Sequence, residues 1–155
     1  MAQLFILHPT HPQKRLVRQA ADIVRRGGLI AYPTDSCYAL GCQLEDAAAL
    51  ARLRALRGID ERHHLTLMCR DLSEIAKYAM VSDKNFGLLK VPGSYTFILP
   101  ARREVPRRVT RRKTIGVRIP GHAAAHALLA ELGDPQLEFP SVHVVGTNGK
   151  STTTR

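Results

Sequence analysis

A single α/β domain, built on a mixed, twisted sheet with flanking helices, is what this sequence predicts, and three observations carry the prediction. Short apolar runs of strand length alternate with segments whose apolar residues recur at helical spacing, the pattern of a layered α/β architecture. Caps and breakers fall between those runs, where such elements must begin and end. The 155 residues suffice for one core that buries ~70% of the surface the unfolded chain exposes, and no repeat or low-complexity tract suggests an array.

In order, Leu4 to Leu7 reads as a short apolar strand. Pro12 fits the first turn of a helix with Leu16, Ala20, Ile23 and Val24 on one face, stopped by Gly27 and Gly28. Leu29 to Tyr32 is the next strand. Asp46 is placed to cap a helix in which Leu50, Leu53 and Leu56 share a face. Leu65 to Cys69 reads as a strand, and Asp71-Leu-Ser-Glu74 has the spacing of a capping box opening a further helix. Tyr95 to Leu99 and Ile115 to Ile119 are apolar strands flanking a basic loop. His122 to Leu132 is a helix ended by Gly133, and Val142 to Val145 is one more strand.

The formal charge is +10, which in a small domain points to a polyanionic partner. Much of it is local: Arg102, Arg103, Arg107, Arg108, Arg111, Arg112 and Lys113 are opposed only by Glu104, between two strands. A charge run is usually a solvated face; this one lacks compensating acids and reads as a phosphate-backbone contact. No apolar run approaches the ~18 residues of a membrane span. MAQLFILHPTHP lacks the basic n-region and small-residue cleavage site of a signal peptide. A cytoplasmic protein with no membrane partner is expected. Cys37, Cys42 and Cys69 are odd in number and read mainly as small hydrophobes. A zinc set of Cys37, Cys42, His63 and His64 is disfavoured by its loose spacing and adjacent histidines, so no metal ligand is assigned.

Three constellations could carry chemistry. Tyr32-Pro-Thr-Asp-Ser-Cys-Tyr-Ala-Leu-Gly41 puts hydroxyls and a carboxylate in a turn at the end of a buried strand, where open α/β sheets bind ligands. Pro92-Gly-Ser-Tyr-Thr96 is a turn entering a strand. Gly116-Val-Arg-Ile-Pro120 embeds Arg118 among apolar residues, which is costly unless the arginine is paired or faces a ligand.

In this order YPTDSCYALGC, PGSYTFILPA and IGVRIPGH resemble the YrdC/YciO family of threonylcarbamoyl-AMP synthase-like proteins, with wording nearest the YciO branch, over about residues 1 to 135. The resemblance implies an α/β fold with a basic concave surface for double-stranded RNA or tRNA. It also implies the joining of L-threonine, bicarbonate and ATP into threonylcarbamoyl-adenylate with release of pyrophosphate, for the threonylcarbamoyl modification of tRNA. On that reading Thr34, Tyr38 and Thr96 bind substrate, Arg57 and Arg118 are catalytic and bind nucleotide, and Mg2+ comes with the ATP. The chain departs from the pattern in places. Ile59 stands at the second cation of the family's Lys-x-Arg pair, Ala39 replaces a glycine, and Ser141-Val142-His143 stands where a Ser-x-Asn element is expected. The rival readings are an RNA-binding module without turnover and a fragment of a Mur-type ligase.

The last rival comes from SVHVVGTNGKSTTTR, which resembles the phosphate loop of folylpolyglutamate synthases and other Mur ligases. There Gly146 and Gly149 let backbone N–H groups approach phosphate, Lys150 reaches the terminal phosphates and Ser151 ligates magnesium. The expected division is thus a YrdC/YciO-like domain over 1–137, cut short at its C-terminus, and a ligase-like tail over 138–155.

Overall fold

The computed structural model describes residues 2–103, 105, 109 and 113–133, together with the backbone of 143–146. Its elements are α1 (Lys14–Arg25), β1 (Ile30–Pro33), β2 (Tyr38–Gln43), α2 (Ala47–Arg57), β3 (Thr66–Met68), α3 (Leu72–Tyr78), α4 (Asp83–Leu89), β4 (Phe97–Pro100), β5 (Thr114–Arg118), α5 (Ala123–Leu132) and β6 (His143–Gly146). The sheet order is β1-β2-β6-β3-β5-β4. Only β3 and β5 run parallel, so the sheet is mixed, as the sequence predicts.

Strand alternation decides which helix lies on which face. Cys42, Leu67 and Val117 point into one cluster, with Leu50 and Leu53 of α2, Ile75 of α3 and Leu89 of α4. Tyr32, Ala39 and Met68 point the other way, against Val17, Ala21 and Val24 of α1 and Ala125, Leu128 and Leu129 of α5. Leu53 and Leu67 are fully buried, and each such side chain stabilises the fold by about 2 kcal/mol. Glu131 fastens α1 to α5: its carboxylate pairs with Arg18 at 3.1 Å, and its carbonyl accepts from Arg25 at 2.6 Å.

β6 lies in the middle of the sheet. Val144 pairs with Cys42 of β2 on one side and with Leu67 of β3 on the other, so those two strands meet only through it. The expected strand at Val142 to Val145 is therefore present one residue later, inside the segment the sequence sets apart as a tail.

Several local expectations shift. Leu4 to Leu7 forms no strand: it has no ladder partner among the described residues, and Leu4 and Ile6 are 85% and 80% exposed. Pro12 precedes α1 rather than opening it, because Gln13 is the N-cap, and the buried stripe is Val17, Ala21 and Val24 rather than the face through Leu16 and Ile23. Leu56 is exposed, since α2 buries Leu50 and Leu53 and turns Leu56 outward. β2 and α4 are additions. β2 contains Ala39 and Gly41, weak strand formers, and α4 is a short helix containing Gly87. Among the described residues no helix is long and apolar enough to cross a membrane.

Candidate functional site

Pro33 ends β1, having no N–H to donate to a ladder, and the chain reverses through Thr34-Asp35-Ser36-Cys37 into β2. Thr34 closes the turn twice, its N–H and its hydroxyl donating to the Cys37 carbonyl at 3.0 and 2.7 Å. That leaves the Asp35 and Ser36 side chains at the tip. β2 and β5 are separated in the sheet by β6 and β3, yet this tip meets the end of β5, so turn and strand come together over one face.

The meeting point is Arg118, only 3% exposed. Its Nε donates to the Gly93 carbonyl at 2.9 Å, its Nη2 to Asp35 Oδ2 at 3.2 Å and its Nη1 to Ser36 Oγ at 3.5 Å. Asp35 Oδ2 also accepts from the Gly121 N–H at 2.9 Å, and the Gly93 N–H returns to the Ile119 carbonyl at 2.9 Å. One buried guanidinium thus ties together all three constellations. The cation is tolerated because a carboxylate and a carbonyl replace its water.

Beside this knot Gly116 stands where its neighbours leave little room for a side chain. A Cβ there would stand 3.1 Å from Thr66 Oγ1 and 3.3 Å from Thr96 Cγ2, so the two threonines close in over the glycine. Thr96 itself is exposed. Tyr32 is buried on the same side of the sheet as Met68. Burial pushes its phenol far up, and the nearby Arg118 charge draws it only partly back.

The other predicted site residues are more dispersed. Tyr38 opens β2 and is 72% exposed. Arg57 is the last residue of α2 and is not part of the knot; Ile59 beyond it packs against the core. Arg102, Arg103 and Lys113 are exposed at the two ends of the basic loop, between which Val105 and Val109 are buried as apolar anchors. Arg107, Arg108, Arg111, Arg112 and Lys150 lie outside the described residues, as do Ser141, Gly149 and Ser151.

Two residues of consequence were assigned no individual role from the sequence, although Asp35 is the carboxylate noted in the Tyr32–Gly41 turn. Asp35 is the counter-charge of Arg118. Arg54, buried on α2, donates to the carbonyls of Asp60 and His63 at 2.6 and 2.9 Å, and so fixes the loop from α2 to β3. Its signal was a basic residue on the apolar side of a helix, one turn past Leu50. Burial, helped by the Asp46 carboxylate, pushes the Cys42 thiol up to about 12 and burial pushes Cys69 up as well, so neither supplies a thiolate. Among the described residues no three His, Cys, Asp or Glu gather as a metal site.

Fold and knot define a class of protein: α/β domains with a mixed sheet, in which a Tyr-Pro-Thr-Asp hairpin, a Pro-Gly turn and a Gly-x-Arg-x-Pro strand converge on one face. The chain belongs to the Sua5/YciO/YrdC family, whose model, described as "Telomere recombination", matches residues 22–154. The YciO protein of Escherichia coli (strain K12), described as uncharacterized, is 52% identical over 141 residues, covering 88% of this chain and 68% of that protein. Its crystal structure aligns with a TM-score of 0.81 over 92% of this chain and 69% of that one. The threonylcarbamoyl-AMP synthase of Halorhodospira halophila is 38% identical over 121 residues, 76% of this chain and 63% of that protein. P. abyssi Sua5, solved in complex with L-threonine, shares the fold at a TM-score of 0.81 and 24% identity, over 94% of this chain and 42% of its own.

Proposed function

We propose that this chain is a YciO-type domain that binds double-stranded RNA or tRNA and ATP, with chemistry related to threonylcarbamoyl-AMP formation from L-threonine, bicarbonate and ATP. The observation that carries the reading is Arg118, held at the end of β5 by the hairpin tip and the Pro-Gly turn. Threonine and bicarbonate condense to a carbamate with loss of water. A carbamate oxygen then attacks the α-phosphorus of ATP, and pyrophosphate leaves. Every reactant carries an anionic group, and a fixed, buried cation favours the charge that develops on the phosphate oxygens. Thr34 keeps acceptor capacity for an ammonium group, since Ser36 and Cys37 N–H reach its oxygen only at 3.4 Å. Thr96, exposed beside Gly116, offers a hydroxyl. Magnesium enters with ATP as the counter-ion of its phosphates.

The reading is tested by pyrophosphate release. Release should require threonine and bicarbonate together, and should fall by about ten-fold or more in Thr34→Ala and Arg118→Ala. ATP consumption indifferent to threonine would sink it. Calorimetry with magnesium-ATP separates the Arg118 site from the terminal phosphate loop: binding lost in Arg118→Ala but kept in Lys150→Ala places it at Arg118, and the reverse places it at Lys150.

A second reading, RNA binding without turnover, is favoured by the +10 charge and by the basic loop held between Val105 and Val109. Reversal of Arg107, Arg108, Arg111 and Arg112 to glutamate should weaken duplex RNA binding and flatten its salt dependence by about one unit of slope for each phosphate no longer neutralised. Binding unchanged across several salt concentrations removes the loop from the interface.

A further inference from the structure

We propose that Asp35 is a positioning residue for anion binding at this site, aiming the Arg118 guanidinium and locking the β5–α5 connection against the hairpin tip. This role rests on Arg118 being the group that meets an anionic substrate, and it adds the residue through which that group is held.

Charge comes first. An arginine cannot shed its proton, so a guanidinium that is 3% exposed needs a fixed partner. Asp35, its side chain 19% exposed, is the one carboxylate ion-paired with it among the described residues. Ser36 cannot substitute: its hydroxyl is neutral and stands at 3.5 Å.

Geometry gives the same answer. A single oxygen, Asp35 Oδ2, bridges Arg118 Nη2 and the Gly121 N–H, and so spans the Ile119-Pro120 bend between them. The carboxylate fits only because residue 121 has no side chain. A Cβ there would lie 2.8 Å from Asp35 Oδ1, with the Gly93 backbone close behind at 3.6 Å. Of the guanidinium's five N–H groups, three go to Gly93, Ser36 and Asp35. The remaining two have no partner among the described residues, and their direction is set by these three contacts, of which only Asp35 supplies a charge.

The sign of the effect separates positioning from simple electrostatics. Removing a negative charge 3.2 Å from Arg118 would on charge alone tighten the binding of an anion. A positioning role predicts the opposite. The experiment compares the parent chain with Asp35→Asn, which keeps an acceptor for Gly121, and Asp35→Glu, which keeps the charge one methylene further out. Magnesium-ATP and inorganic pyrophosphate are titrated by calorimetry. In arginine-labelled protein the Nε–Hε resonance of Arg118, identified by its loss in Arg118→Lys, reports how firmly the guanidinium is held.

The expected result is binding weaker by about ten-fold in both variants, with the Arg118 Nε–Hε signal losing its protection from exchange. Binding as tight as the parent's, or tighter, overturns the role. If the parent binds neither probe, the proposed function fails on its own, and the Nε–Hε signal still decides: lost protection upholds Asp35 as the residue that aims Arg118, and retained protection overturns it.

Discussion

Thr34 has two duties, and substitution separates them. Its hydroxyl donates to the Cys37 carbonyl within the turn, so Thr34→Ala should cost about 1 kcal/mol of stability in addition to any weakening of substrate binding, whereas Thr34→Ser restores the turn. Denaturant melts of the two variants check this. Glu74 gives a pH signature. Burial pushes its carboxyl up, although the Arg70 N–H and the Arg70 charge pull the other way. A carboxyl raised by folding binds its proton more tightly in the native state, so its cost is fully present above the raised value and vanishes below the ordinary carboxylate range. Glu74→Gln, which keeps an oxygen for the Arg70 N–H, should melt higher than the parent at pH 7, and the gap should close as the pH falls. A gap independent of pH excludes that cause. Asp71 runs oppositely: burial raises it, but the N–H groups of Glu74 and Ser73 and the Arg70 guanidinium outweigh that, so its contribution is lost in acid. At this scale the sequence showed that Arg118 had to be paired or face a ligand. It did not show with what, because Asp35 is 83 positions away and the pairing exists only once the sheet has formed.

Elements were legible where the signal is local. Asp46 caps α2 as expected, its Oδ1 accepting from the Ala49 N–H at 2.9 Å. Asp71 accepts from the Glu74 N–H, although Glu74 reaches back to Arg70 rather than to the cap residue, so the box closes one residue early. Gly58 ends α2 in the left-handed conformation, φ 62°, with nothing within 4 Å of where a Cβ would lie. Gly58→Ala should therefore cost about 1 kcal/mol from backbone strain alone, read by thermal melting, and a neutral result would mean the helix end relaxes. Elements whose existence depends on distant partners were not legible. Leu4 to Leu7 has strand composition but no neighbour to pair with among the described residues, and β2, weak in propensity, is a strand because β1 and β6 flank it.

For the whole molecule the governing feature is β6. The strand itself was legible in the sequence, but its place between β2 and β3 was not, since sheet order is fixed by pairings far apart in the chain. Val144→Pro removes a ladder donor from the central strand. Loss of amide protection should then appear in β2 and β3 before it appears in α1 and α5, and a urea transition that is expected to be single in the parent should broaden or split. A variant that still unfolds in one sharp step would show that the two halves cohere through their helices.

The same arrangement constrains how the chain is made. A ribosome delivers β1–β2 early and the β3, β5 and β4 ladder later, but the strand that joins them emerges after all five. Until then the growing polypeptide carries two part-sheets whose inner edges offer unpaired backbone groups, a surface open to pairing with another chain. Yield from cells should therefore depend on how quickly residues 143–146 follow, and chaperones that mask strand edges should matter more here than for a protein whose central strand is translated first.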